Sequence, residues 1–301
     1  MADFEAVEFS TFDGVTLRGD FFRTDGHNRP AVVLVPGLGM LKEHVGGSIA
    51  AALRDAGYSV FAYDHRGYGS SDGAPRQQTD PLQQSEDLHD AVSAAARLPG
   101  VDASRMAVLG IGHGGGAALM AAACDPRVKT VIVSDPFISG RLDAPLYPPT
   151  QLLRAWRERE DVTACGPRQP LYLQCWPENY EQAHTIGRDS PLMRGNASLD
   201  LFRALRADAH ELRLSWENKI TLQSLSRLAR SEPRDHVPRV TCPLLYLVEM
   251  NGPSVVHKQI VSTAGGYAEL NFTQSSYLLR DHTAGFHDAL HKQVDFLRHH
   301  L

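Results

Sequence analysis

The sequence lacks the features that would place it among disulfide-rich, zinc-binding or membrane proteins. It has four cysteines in 301 residues, and none are spaced as C-x-x-C, so we expect neither a disulfide framework nor a zinc site. Buried free thiols are the simpler expectation for Cys124, Cys165, Cys175 and Cys242. No stretch approaches the roughly 20 apolar residues that cross a bilayer, and the N-terminus is acidic. We therefore expect a cytoplasmic protein that does not contact membranes.

A concentrated block of positive charge is also missing. The chain has 30 Lys and Arg against 35 Asp and Glu, a formal net charge of -5, and both signs are spread along its length. Proteins that bind nucleic acid neutralise runs of phosphates with clustered cations, so a nucleic-acid partner is not expected. A hydrophobic fraction of 43% is typical of globular proteins. We expect a hydrophobic small-molecule substrate, no metal and no cofactor, and the sequence is compatible with a homodimer.

The order of apolar patterns predicts an α/β fold with a mostly parallel, doubly wound sheet. Alternation at 7–9 and 16–22 around Asp13-Gly14 predicts an opening hairpin. Short, continuous apolar runs are typical of strands buried on both faces, and helical patterns at 44–56 and 82–98 lie between them. The predicted buried strands are 31–35, 59–64, 106–110, 130–135 and 244–248. A helix at 255–264, a strand at 276–279 and a helix at 286–300 are predicted to end the chain.

Residues 137–238 interrupt this alternation, and we interpret them as an inserted helical cap. The segment is rich in proline, arginine and aromatic residues, with helix-like stretches at 152–160 and 199–214. The predicted core then consists of residues 1–136 and 239–301. These residues 137–238 are called the cap segment below.

A glycine-rich turn at 106–117 admits two interpretations. Gly110, Gly112 and Gly115 match the dinucleotide fingerprint G-x-G-x-x-G, and Asp135 follows where a ribose-binding acid is expected. That fingerprint normally opens its domain, whereas here a hairpin and two parallel strands come first. The alternative is a nucleophile elbow, G-x-S-x-G, with Gly110 and Gly114 as the flanking glycines and Gly112 at the serine position.

The wider sequence favours the elbow. Pro36-Gly37-Leu38-Gly39 and Lys42-Glu43 follow the first parallel strand, and the run from Tyr63 to Gly73, YDHRGYGSSDG, follows the second. Leu98-Pro99-Gly100 leads into the third. In this order the motifs resemble the α/β-hydrolase superfamily, particularly its dienelactone-hydrolase-like and cocaine-esterase-like members with a helical cap. The resemblance covers the core and is weak over the cap segment.

The resemblance implies a serine nucleophile, an acid after a late strand and a histidine before the last helix, and only the histidine is present. His282 matches the family base, whereas Gly112 stands at the nucleophile and Asn251 at the acid. Loss of such a nucleophile costs on the order of a millionfold in turnover, and an acid-to-amide change costs about 10⁴. Asp135 is an alternative acid, because some members place theirs one strand earlier, and a purely structural anchor is the other interpretation of that residue.

We therefore expect non-hydrolytic chemistry from His282 as the base and an oxyanion hole formed by the N–H groups of Leu38 and His113. Isomerisation, cyclisation or carbon-carbon cleavage of an apolar, polyketide-like carbonyl compound fits this arrangement. The alternatives are a residual ester or thioester hydrolase that uses water or another nucleophile, and a catalytically silent protein that binds a ligand. Aromatic residues of the cap segment are predicted to contact the substrate: Tyr147, Trp156, Trp176 and Tyr180.

Overall fold

The computed structural model describes residues 4–186, 190–249, 254–273 and 284–301. Within these residues the strands of the main sheet are β1 (Glu5–Ser10), β2 (Thr16–Phe22), β3 (Arg29–Val35), β4 (Ser59–Tyr63), β5 (Val101–Ile111), β6 (Val128–Ser134), β9 (Leu244–Glu249) and β10 (Ala268–Thr273). Their order is β1-β2-β4-β3-β5-β6-β9-β10. The opening hairpin pairs antiparallel and joins β4 antiparallel, and the pairs from β4 onwards are parallel. The predicted mostly parallel sheet is confirmed.

Helices cover both faces of this sheet, as a doubly wound fold requires. The helices of the core are α1 (Lys42–Gly46), α2 (Ser48–Asp55), α3 (Pro81–Ala95), α4 (His113–Ala122), α10 (Ser254–Val261) and α11 (Ala284–His300). Apolar side chains of α3, α4 and α10 join one buried cluster with the sheet. Those of α1, α2 and α11 join the cluster on the opposite face. The near-continuous apolar strands follow from this double coverage, because both faces of each central strand are buried.

The register of the central strands aligns their carboxyl ends. Val35 of β3 pairs with Gly110 of β5, Gly110 pairs with Val133 of β6, and Val133 pairs with Tyr246 of β9. The segments that follow these strands therefore emerge along one edge of the sheet. Ligands of open α/β sheets bind at this edge, and three of the motifs singled out in the sequence lie there.

The structure corrects several local predictions. One helix was expected over 44–56, but α1 and α2 are separate because Gly47 (φ -61, ψ -97) leaves the helical conformation between them. The last described strand is β10, and the predicted strand at 276–279 lies outside the described residues. All four cysteines are free, but only Cys175 is buried: Cys242 is partly exposed, and Cys124 and Cys165 are exposed.

The cap segment, inserted between β6 and β9, contains more than helices. Its helices are α5 (Gly140–Asp143), α6 (Pro149–Cys165), α7 (Tyr180–His184), α8 (Asn196–Glu211) and α9 (Ser224–Leu228). It also holds a short antiparallel pair, β7 (Tyr172–Gln174) with β8 (Lys219–Thr221). The predicted boundaries at 137 and 238 stay a prediction. Within the described part of the chain, no helix is both long and apolar enough to span a membrane.

Candidate active site

Gly112 forms a sharp turn between β5 and α4. Its backbone has φ +54 and ψ -119, a conformation that is strained for residues with a side chain. Four hydrogen bonds hold the turn. The Gly112 N–H donates to the Ser134 carbonyl at 2.9 Å, and the Gly112 carbonyl accepts from the N–H groups of Phe137 at 2.9 Å, Gly115 at 3.0 Å and Gly116 at 3.3 Å. The elbow conformation is therefore fixed by its neighbours even though no nucleophilic side chain is present.

The glycines around this turn serve different purposes. A Cβ atom at Gly110 would lie 2.4 Å from the Gly114 carbonyl oxygen, and one at Gly114 would lie 2.4 Å from the carbonyl oxygens of Val35 and Pro36. Backbone crowding therefore requires glycine at both flanking positions. A Cβ atom at Gly112 would meet no heavy atom within 4 Å. The space that a nucleophile would occupy is thus open.

The turn after β3 packs directly against the elbow. A Cβ atom at Gly37 would lie 3.1 Å from the Ile111 carbonyl oxygen, and the Pro36 carbonyl accepts a 3.0 Å hydrogen bond from His65 Nε2. Burial lowers the pKa of His65 to about 4, so the imidazole is neutral at pH 7 and donates from Nε2. Sequence reasoning gave His65 no role, and its only signal was its position directly after β4.

The backbone N–H groups of Leu38, in this turn, and of His113, the first residue of α4, have no hydrogen-bond acceptor among the described residues. The N-terminal end of a helix carries partial positive charge, which favours an anionic oxygen near His113. The His113 ring stacks on Phe137 with centroids 4.6 Å apart, and burial lowers its pKa to about 4. The side chain is therefore neutral at pH 7 and brings no positive charge to the site, whereas the backbone N–H lies at the positive end of the helix.

Asp135 lies at the end of β6 in a conformation unusual for aspartate, with φ +44. Its Oδ1 accepts a 2.8 Å hydrogen bond from the Glu249 N–H, and its own N–H donates to the Leu247 carbonyl at 2.9 Å. Asp135 thus ties β6 to β9, as an anchor would. Burial, with a smaller contribution from the Glu249 charge, raises its pKa to about 6. His282 and Asn251 lie outside the described residues, so their roles stay predictions.

The structure separates the four predicted substrate-contacting aromatics into two pairs. Tyr147 and Trp176 are each 6% exposed, whereas Trp156 and Tyr180 are 57% and 68% exposed. The buried pair belongs to a cluster of the cap segment that also contains Leu38 and Met40 of the turn after β3. Trp156 and Tyr180 belong to the outer surface, because their positions on α6 and α7 turn them away from this cluster.

Buried charges stabilise the loop after β4. Asp64 is fully buried, and its carboxylate accepts hydrogen bonds from the N–H groups of Lys42 and Ser70, both at 2.9 Å. The Lys42 ammonium group lies 3.7 Å from Asp64 and 3.5 Å from Asp20. These contacts hold the loop after β4 against the start of α1. Among the described residues we found no cluster of three or more His, Cys, Asp or Glu that could hold a metal.

A doubly wound parallel sheet with an elbow after β5, a turn packed on that elbow after β3 and an insertion after β6 defines an α/β-hydrolase fold. The chain belongs to the family described as Serine aminopeptidase, S33, whose sequence profile matches residues 26–218. The resemblance inferred from the sequence motifs is therefore confirmed.

Two curated relatives and two solved structures illustrate this membership. Thiohydrolase apmlB of Arthrinium phaeospermum is 35% identical over 225 residues, which are 74% of this chain and 71% of the relative. Polyketide transferase grgF of Penicillium sp is 42% identical over 218 residues, 72% of this chain and 68% of the relative. The structure of DcsB in complex with its substrate analogue superposes with a TM-score of 0.83 at 26% identity, covering 99% of this chain and 100% of that one. The alpha/beta hydrolase GrgF from Penicillium sp. sh18 superposes with a TM-score of 0.79 at 26% identity, covering 99% of both chains.

Proposed function

We propose that this protein is a cofactor-independent enzyme that transforms a polyketide-derived acyl substrate without forming an acyl-enzyme at the elbow. The observation that carries the proposal is Gly112, which keeps the elbow backbone and leaves open the space of the missing side chain. A residue without a nucleophilic atom cannot attack a carbonyl. The unpaired N–H groups nearby can still stabilise the oxyanion of a carbonyl that another nucleophile attacks.

The names of the relatives suggest the substrate class. They include thiohydrolases, polyketide transferases and an acyltransferase, names that indicate chemistry at an acyl carbonyl. We propose that the substrate is an acyl thioester. The group that attacks its carbonyl is a hydroxyl, either on the same acyl chain or on a second substrate molecule.

The proposed step is direct acyl transfer. The hydroxyl oxygen forms a bond to the thioester carbon while His282 removes the hydroxyl proton, and the carbonyl oxygen becomes an oxyanion held by the N–H groups of Leu38 and His113. The tetrahedral intermediate then collapses, the carbon-sulfur bond breaks, and the leaving thiolate takes the proton from His282. The products are an ester or lactone and a free thiol, so atoms and charges balance. Positioned general bases contribute about 10²- to 10⁴-fold in rate.

The test compares two histidines that lie close together in the sequence. Hydroxyacyl-N-acetylcysteamine thioesters serve as substrates, free thiol release gives the rate, and mass spectrometry distinguishes lactone from acid. We expect lactone from the native protein and a loss of at least roughly 100-fold in the His282→Ala variant. The His287→Ala variant is the matched control, because His287 is exposed on α11 and should retain activity. Unchanged turnover in His282→Ala would refute the proposal.

Direct hydrolysis is the second candidate, and it is favoured by relatives named thiohydrolase. In this reaction water replaces the substrate hydroxyl, and the same N–H groups stabilise the oxyanion. The product decides between the two: acid as the main product from a hydroxyacyl thioester would support hydrolysis. Tight binding of a thioester that is recovered unchanged would instead support a silent ligand-binding protein.

A further inference from the structure

The carbonyl group of Gly39 accepts a hydrogen bond from the cap segment. Trp216, in the loop between α8 and β8, donates its indole N–H to the Gly39 carbonyl oxygen at 2.7 Å. Gly39 is buried in the turn after β3 and directly follows Leu38, whose N–H is the proposed oxyanion donor. A side chain of the cap segment therefore binds the turn that carries this donor.

A second hydrogen bond continues from Gly39 towards Leu38. The Met40 N–H donates to the Gly37 carbonyl at 3.1 Å and closes a four-residue turn. Gly39 occupies the third position of this turn with φ +66, a conformation that favours glycine there. The Gly39 carbonyl and the Met40 N–H belong to one planar peptide group, and the Gly37 carbonyl and the Leu38 N–H belong to another. The Trp216 indole and these two peptide groups thus form one hydrogen-bonded chain that ends at the Leu38 N–H.

Hydrogen bonds in such a chain strengthen one another. A donor that binds the carbonyl of a peptide group polarises the group and makes its N–H a better donor. The carbonyl and the N–H of a trans peptide point in opposite directions, so the effect passes along the chain from one group to the next. Here it runs from Trp216 to the Leu38 N–H, which has no acceptor among the described residues. The chain orients this N–H and increases its partial positive charge.

The indole of Trp216 is itself held in place. Its ring packs against Phe202 of α8, with centroids 6.1 Å apart, and against His44 of α1, with centroids 5.7 Å apart. His44 makes a further link, because its Nδ1 accepts from the Leu41 N–H at 2.9 Å and its Nε2 lies 3.3 Å from the Leu205 carbonyl of α8. Since Nδ1 accepts, Nε2 carries the proton and donates. The turn after β3 and the start of α1 are therefore both attached to the cap segment.

We infer that Trp216 is a positioning residue for the proposed reaction, because it orients and polarises the Leu38 N–H that holds the oxyanion. This inference rests on the proposed function for the role of that N–H. An oxyanion carries more negative charge than the carbonyl oxygen of the bound substrate. A weaker N–H donor therefore raises the energy of the transition state more than that of the bound substrate. Loss of the indole N–H should lower kcat and leave KM nearly unchanged.

The experiment uses the Trp216→Phe variant, which removes the indole N–H and keeps an aromatic ring between its neighbours. Turnover of the hydroxyacyl thioesters gives kcat and KM, and ¹H–¹⁵N spectra give the amide signals of Leu38 and Met40. We expect kcat to fall about 2- to 10-fold, as for the loss of one hydrogen bond. Both amide signals should shift upfield, because both N–H groups become less polarised. Trp156→Phe is the matched control and should change neither kcat nor these signals, because Trp156 is 57% exposed on the outer surface.

The native protein provides a second measurement that needs no catalysis. The chain has three tryptophans, so ¹⁵N-tryptophan labelling gives three indole N–H signals, and the two variants identify those of Trp216 and Trp156 by their disappearance. The Trp216 indole N–H should exchange with solvent at least roughly tenfold more slowly than that of Trp156, because it is hydrogen-bonded to Gly39. Equal exchange rates would overturn the inference.

Unchanged kcat in Trp216→Phe, a lower kcat with an unchanged Leu38 signal, or a higher KM with kcat retained would also overturn it. Failure of the proposed function is a separate outcome. It is measured by full turnover in His282→Ala, and it would leave the amide shifts and the exchange rates unaffected.

Discussion

Alanine at Gly112 and at Gly114 should have very different effects on stability, although the two glycines are two residues apart. At Gly112 the added methyl group meets no heavy atom within 4 Å, so only backbone strain opposes it. Backbone strain at a sparsely populated φ/ψ destabilises the folded state by about 1–3 kcal/mol. Alanine also restricts the unfolded chain more than glycine does, which stabilises the folded state by about 0.4–1 kcal/mol. The expected loss for Gly112→Ala is therefore about 1–2 kcal/mol in the free energy of unfolding.

At Gly114 the methyl group would lie 2.4 Å from two backbone oxygens, those of Val35 and Pro36. Neither can move without displacing the end of β3 and the turn that follows it. We expect a loss above about 4 kcal/mol, the range that severe steric changes reach. Urea denaturation followed by far-UV circular dichroism measures both variants, and an unchanged m-value would show that the unfolded states are comparable.

A control variant separates strain from damage to the site. Gly14 also has a positive φ, +83, and open space around its Cβ position, but it lies in the hairpin between β1 and β2. Gly14→Ala should lose a similar free energy to Gly112→Ala while keeping activity. If Gly112→Ala were as damaging to stability as Gly114→Ala, the open space at the elbow would not exist and the account of the site would be wrong.

Two further predictions concern other groups of the molecule. The pKa of Asp135 is raised from an ordinary 3.8 to about 6 in the folded state, so the folded protein binds this proton more tightly than the unfolded chain does. The native protein therefore loses stability as the pH rises from about 4 to 6 and the carboxyl group ionises. Asp135→Asn can keep the hydrogen bond from Glu249 and should be more stable than the native protein above pH 6, by at most about 3 kcal/mol, with no difference below about pH 4. A variant that is less stable than the native protein at pH 8 would contradict the raised pKa. A more stable variant that has lost turnover would support the alternative in which Asp135 is the acid of the site. A thiol reagent should modify Cys124 and Cys165 rapidly in the native protein and Cys175 only after unfolding, and rapid native reaction of Cys175 would contradict its burial.

The parallel core was predictable from the sequence because its physical signal is local. Strands that are buried on both faces appear in the sequence as short apolar runs. The observed limits lie within a few residues of the predicted ones for β3, β4, β6 and β9 and for the end of β5, whereas β5 starts earlier than predicted. Its first residues, 101–105, are partly or fully exposed and carry no apolar pattern. The cap pair β7 and β8 was missed because strands of three residues are too short to show a periodicity.

The candidate site was predictable only where chain order determines position. Leu38, Gly112 and Asp135 follow adjacent parallel strands, so the topology alone brings them to one edge of the sheet. The burial of the cap aromatics was not predictable, because composition does not reveal which face of a helix points inwards. His65 and Trp216 were missed as supports of the turn after β3, since both act through contacts between residues far apart in the sequence.

The absence of an acyl-enzyme at the elbow is the central claim, and covalent labelling tests it most directly. A fluorophosphonate probe is applied to the native protein, to the Gly112→Ser/Asn251→Asp double variant and to Gly112→Ala/Asn251→Asp as the control without a hydroxyl, and intact mass is measured. We predict one adduct, at residue 112, in the serine variant together with hydrolysis of an activated ester, and none in the other two proteins. A single defined adduct on the native protein, or a folded serine variant that takes no label, would contradict the account.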